Sequence, residues 1–170
     1  MKSRSKLFAF ALWVLAASAW AQSPPPVPAR MPPAQPIPFS HKTHAAAGLT
    51  CQGCHTIAPP GDLAGYPAAA FCMGCHATLK KDSPAIQALA AFAKDRTPIP
   101  WIRVYRVPDF VYFSHQVHHK QAGVECAACH GPVAEREVVV REKSTAMADC
   151  MKCHDQRRAA NGCDVCHDSH

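Results

Sequence analysis

Cys51-Gln52-Gly53-Cys54-His55 is a phrase that the chain uses four more times: as Cys72-Met73-Gly74-Cys75-His76, Cys126-Ala127-Ala128-Cys129-His130, Cys150-Met151-Lys152-Cys153-His154 and Cys163-Asp164-Val165-Cys166-His167. The five copies consume all ten cysteines, and histidine follows every pair. This spacing is that of covalent haem attachment. Two thiols three positions apart on a helical turn reach the two vinyl groups along one porphyrin edge, and the next histidine then lies under the iron. Structural zinc sites seldom place histidine directly after every cysteine pair. A disulfide framework or a redox dithiol asks for no histidine neighbour at all. The expectation is five covalently bound c-type haems, with His55, His76, His130, His154 and His167 as proximal ligands.

A low-spin electron carrier needs a second axial ligand on each iron, from His or Met. His41, His44, His115 and His118 are four candidates, because Phe39-Ser40-His41-Lys42-Thr43-His44 and Phe113-Ser114-His115-Gln116-Val117-His118 place paired imidazoles just ahead of haem motifs. Met147, three residues before Cys150, is the candidate for the fifth, with His119 as its alternative. Met73 and Met151 sit inside haem loops and point poorly at another iron, and His170 ends the chain.

The N-terminus predicts export. Lys2, Arg4 and Lys6 precede an apolar run from Leu7 to Ala17 and the small-x-small site Ala19-Trp20-Ala21. That order is a signal peptide over 1–21; its uncleaved form would be an anchor. No later run is apolar enough to span a bilayer. Without those residues the chain has 149, rich in Ala and Pro and short of Leu and Ile, so porphyrins must fill much of the core. The exported part carries 15 Lys and Arg against 12 Asp and Glu. Haem propionates would offset that excess, so the charge gives no reason to expect nucleic-acid binding.

Residues 22–36 form a Pro-rich spacer, extended or a loose tail. Residues 37–82 are expected to form a first haem module with two haems and 97–170 a second with three, since each opens on the Phe-Ser-His-x-x-His segment. Between them, Ser83-Pro84 followed by apolar residues at helical spacing predicts a connecting helix over 83–96. Trp101 to Val107 alternates and Glu137 to Arg141 is β-branched, which is compatible with a short two-stranded β-ribbon. The fold class expected is mainly α with little regular secondary structure, as duplicated modules around stacked haems.

These residues resemble the class III multihaem cytochromes c, in which a Phe-x-His-x-x-His segment precedes the haem motifs. More closely, the run from Ile37 to His154 is similar to the pentahaem cytochrome subunit of alternative complex III and its soluble relatives. The stretches that carry this are Ile37-Pro38-Phe39-Ser40-His41, Pro100-Trp101-Ile102-Arg103-Val104, Pro108-Asp109-Phe110-Val111-Tyr112-Phe113-Ser114-His115, Cys126-Ala127-Ala128-Cys129-His130-Gly131 and Ser144-Thr145-Ala146-Met147. The resemblance implies that His44 pairs with His55, His41 with His76, His118 with His130 and His115 with His154. It also implies a distal His where Met147 stands, so the last haem departs from the pattern and would have a raised potential.

The function expected is a periplasmic pentahaem electron carrier. Its partners would be a quinol-oxidising complex, a molybdopterin oxidoreductase or a terminal reductase or oxidase. The alternatives are a fixed subunit of such a membrane complex, with the same chemistry, and a multihaem reductase. An enzyme needs an open distal face, and the candidate ligands here suffice to close every site.

Overall fold

The computed structural model describes residues 31–167. The expected signal peptide, residues 22–30 of the spacer and His170 lie outside them. The elements are α1 (His41–Ala46), α2 (Cys51–Cys54), α3 (Ala69–His76), α4 (Pro84–Asp95), a π-helical turn (Gln116–Gln121), α5 (Cys126–His130), a 3-10 turn (Val133–Glu135), α6 (Met147–Arg157) and α7 (Cys163–Cys166). Most are one or two turns long, joined by irregular chain. The fold is mainly helical.

The longest element, α4, follows from its sequence. Ser83 caps it with extended backbone, Pro84 occupies the first turn, and Arg96 ends it in the left-handed region at φ 53°. Its apolar side, centred on buried Leu89, packs on α3. Ile37, Ala69, Leu89 and Ile99 form the buried cluster, with Met73, Phe92 and Trp101 packed against it. Only Val124 joins these among buried apolar side chains of the described residues. A chain of this size held by so small a core needs another apolar component.

The β-ribbon does not form: among the described residues there is no strand. Side chains take the bonds that a partner strand would have made. The Gln35 amide donates to the Ile102 carbonyl at 2.8 Å and accepts from the Ile102 N–H at 3.0 Å. The Tyr105 hydroxyl accepts from the N–H groups of Glu142 and Lys143 at 3.0 and 3.3 Å. Arg136 and Glu142 then pair across the base of the 137–141 segment, closing it as a loop.

Candidate haem sites

Every Cys-x-x-Cys-His motif is folded as a helical turn. In α2, α5 and α7 the motif makes the whole element, whereas in α3 it is the last turn and in α6 the middle. Thr50 caps α2 by accepting from the Gly53 N–H. This winding brings residues i and i+3 to one side of the turn, which is what two thioether bonds to one porphyrin edge require. None of the ten cysteines is engaged in a disulfide, and all are exposed or half-exposed.

The distal candidates then meet the proximal histidines in pairs. Ring centroids lie 6.3 Å apart for His41 and His55, 6.1 Å for His44 and His76, 6.4 Å for His115 and His130, and 6.0 Å for His118 and His154. A metal-bound imidazole nitrogen sits about 2 Å from its metal and the ring centre about 1 Å further, so two axial imidazoles on one iron have centroids about 6 Å apart. The four separations meet that requirement.

This pairing is the reverse of the one the resemblance implied. His41, not His44, faces His55, and His115, not His118, faces His130. The reason lies in the buried cluster. Phe39 stacks on His44 at 4.3 Å and meets Trp101 edge-on at 6.4 Å, and Trp101 packs on the cluster built from α3 and α4. His44 is thereby held on the α3 side, where His76 is. His41, at the start of α1, is left for the first motif.

The second half repeats this geometry. Phe113 stacks on His118 at 4.4 Å and meets His115 edge-on at 4.9 Å, as Phe39 meets His41 at 4.8 Å. His44 and His118 donate through Nδ1 to the carbonyls of Ser40 and Ser114, at 2.7 and 2.8 Å. One difference marks the copies. Six residues separate His44 from Cys51 and seven separate His118 from Cys126. The π-helical turn, with its Ala122 N–H to Val117 carbonyl bond, takes up the extra residue.

Carbonyls also orient four further rings. His55 Nδ1 donates to Gly65, His76 to Leu79, His115 to Asp62 and His154 to Ala160, at 2.8, 3.1, 2.7 and 2.6 Å. A donating Nδ1 leaves Nε2 as the nitrogen with a free lone pair, the tautomer that ligates a metal. His41 Nδ1 is buried without a partner. Burial, helped by His55 and His44, pushes His41 towards the neutral form, and burial with His115 and His55 does the same to His130.

Sequence reading missed the loop that joins the halves. Gly61 lends its carbonyl to the Gln116 N–H at 2.9 Å, and Asp62 lends its own to His115, so a first-half loop holds a second-half imidazole. Neither residue has a motif to betray it. Tyr105 meets the His130 ring edge-on at 4.6 Å and donates to its carbonyl at 3.1 Å.

Thiols of different motifs are neighbours. Burial pushes Cys72, Cys126, Cys129 and Cys150 up, and a second motif's thiol adds to each: Cys54 beside Cys72, Cys51 beside Cys126, Cys153 beside Cys129 and Cys166 beside Cys150. The motifs therefore follow one another in space as second, first, third, fourth, fifth.

The fifth motif is arranged differently. His167 donates weakly to the Phe110 carbonyl at 3.3 Å, and the Tyr112 N–H binds the Cys166 carbonyl at 2.8 Å. Among the described residues no imidazole faces His167 as in the four pairs. Met147 is exposed at the start of α6, one turn before Cys150, whose thiol neighbours Cys166. His119 is committed elsewhere: Nδ1 donates to the Val124 carbonyl at 2.9 Å, and Nε2 accepts from the Gln52 amide at 2.5 Å.

The residues thus fit haem: cysteine pairs outside disulfides on single turns, ring pairs at axial separation and ligating tautomers. Exposed apolar side chains surround the motifs, among them Leu63, Tyr66, Phe71, Leu79, Phe110 and Met151, which is the surface a porphyrin covers. Among the described residues no helix is long and apolar enough to cross a membrane.

Comparison with known proteins agrees with this chemistry. Residues 18–99 match the class III cytochrome C family, and residues 111–168 match cytochrome c7 and related cytochrome c. The chain is similar to the multihaem cytochrome c subunit of menaquinone reductase from Nitratidesulfovibrio vulgaris strain Hildenborough, with 32% identity over 160 residues that cover 78% of this chain and 76% of the relative. With Cys-x-x-Cys-His turns and facing imidazoles in both halves, the chain is an electron carrier with covalently bound c-type haem and belongs to the class III multihaem cytochrome c family.

Proposed function

We propose that all five motifs carry haem and that the protein is an exported pentahaem electron wire working with a membrane quinone-reactive complex. The observation that carries this reading is the set of four imidazole pairs at 6.0 to 6.4 Å, each joining a Phe-Ser-His-x-x-His histidine to a motif histidine. Iron held on both faces by imidazole exchanges electrons without binding substrate. The protein supplies attachment, orientation and a dry surround, and the haem supplies the one-electron redox step. Cys51, Cys54, Cys72, Cys75, Cys126, Cys129, Cys150, Cys153, Cys163 and Cys166 are the attachment sites. His41 and His55, His44 and His76, His115 and His130, and His118 and His154 are the axial pairs. His167 with Met147 completes the fifth site.

The similarity to a menaquinone reductase subunit favours work within or against a membrane complex over free diffusion between distant partners. The signal sequence supports a periplasmic or other extracytoplasmic location. The deciding experiment purifies the protein from the exported fraction and measures haem by pyridine haemochromogen and intact mass. Five haems per chain are expected, together with co-purification of membrane subunits. Fewer than five, or haem-free protein of full length, would overturn the reading.

A further inference from the structure

We infer that the haems of the first and third motifs meet where the two halves join and are the more easily reduced of the four bis-histidine sites, flanked by the less easily reduced haems of the second and fourth. This rests on the pentahaem reading above and deepens it.

The placement comes from hydrogen bonds and rings. Gln52 of the first motif bonds His119, which leads into the third motif, and the Gly61–Asp62 loop that follows the first motif holds Gln116 and His115, the ring that faces His130. On one side of this junction α1 carries both His41 and His44, which sets the second motif beside the first, and on the other His115 and His118, one turn apart, set the fourth beside the third. Electrons moving between the halves therefore cross from the first haem to the third.

The ranking comes from the second nitrogen of each ring. An imidazole that donates Nδ1–H to a carbonyl becomes a stronger donor to its metal and stabilises the ferric state. At the second motif both rings have such a bond, His44 to Ser40 at 2.7 Å and His76 to Leu79 at 3.1 Å. At the fourth both do again, His118 to Ser114 at 2.8 Å and His154 to Ala160 at 2.6 Å.

The junction sites have only half of this. At the first motif His55 donates to Gly65 but His41 Nδ1 is buried without a partner. At the third His115 donates to Asp62, whereas His130 Nδ1 bonds no protein carbonyl among the described residues. The buried, unpartnered Nδ1 of His41 also marks a low-polarity surround at the first site, which disfavours the extra positive charge of ferric iron and acts in the same direction.

The structure also provides a spectroscopic label. The junction pairs have nearly parallel rings, at 9° and 7°, whereas the flanking pairs are tilted, at 60° and 33°. In low-spin ferric haem the largest g value rises as the two imidazole planes rotate apart. The test is an equilibrium redox titration of the purified holoprotein followed by electron paramagnetic resonance. The bis-histidine components of smallest maximal g should disappear first on reduction, and the component of largest maximal g should persist to lower potential. Loss of the largest-g component first, or of all four together, would overturn the inference. The H44A variant checks the label: it should delete the largest-g component, and survival of that component would also overturn the inference. A haem count below five sinks the pentahaem reading instead, whereas five haems reduced in the opposite order sink this inference alone.

Discussion

His41 faces His55 at 6.3 Å with the ring planes 9° apart, while His44, one helical turn later, meets His76 at 60°. Two imidazoles on one short helix thus serve two different motifs. Replacing His41 by Ala should open only the haem on Cys51 and Cys54, and replacing His44 only that on Cys72 and Cys75. Each reduced variant should bind carbon monoxide at one site per chain and lose a different low-spin resonance. Loss of the same resonance in both variants would contradict the pairing.

Met147 precedes Cys150 by one turn of α6, and Cys150 lies beside Cys166 of the fifth motif. Thioether ligation raises a haem's potential relative to bis-histidine ligation. M147H should therefore lower the potential of the most oxidising haem, and M147L should leave one haem open to carbon monoxide. Redox titration of both variants checks this, and unchanged titration curves would assign the ligand elsewhere.

Gly61 has φ +102°, and a Cβ there would collide with the Gln116 side chain. The same residue's carbonyl anchors the Gln116 N–H. Gly61→Ala should destabilise the holoprotein by at least about 2 kcal/mol, from the left-handed backbone and the clash together. Thermal unfolding of the haem-loaded variant measures it. An unchanged midpoint would mean that the loop between the halves contributes nothing to stability.

Tyr105 links His130 to the 142–143 backbone through one donated and two accepted hydrogen bonds. Y105F keeps the ring against His130 but leaves these partners without the hydroxyl. A loss of about 1–3 kcal/mol is expected, with haem content unchanged. Denaturant unfolding and the pyridine haemochromogen assay read the two quantities separately.

Haem removal should be more severe than any single substitution. The described residues bury only Ile37, Ala69, Leu89, Ile99 and Val124 among their apolar side chains. Chain produced without haem attachment should lack a cooperative unfolding transition, and calorimetry of the haem-free protein against the holoprotein tests this.

Attachment and proximal ligation were legible in the sequence because they are local. Cysteines at i and i+3 with histidine next to the second have no freedom of partner once a turn of helix forms, and α2, α5 and α7 are little more than that turn. The helix over Pro84–Asp95 was legible for the same reason, its caps and apolar spacing lying within one segment. The β-ribbon was misread because alternation in Trp101 to Val107 does not reveal which group takes its hydrogen bonds. Gln35, 67 residues from Ile102, is one such partner.

The sequence by itself thus determined the chemistry of each site: thiol pairs, proximal imidazoles and a duplicated distal segment. Only the tertiary structure decided which distal ring meets which motif and that the motifs run second, first, third, fourth, fifth. His41 and His44 are chemically the same and three residues apart, so no local rule separates them. The packing of Phe39 against Trp101 and the α3–α4 cluster separates them, as side chains distant in sequence turn α1 so that one imidazole faces each haem site.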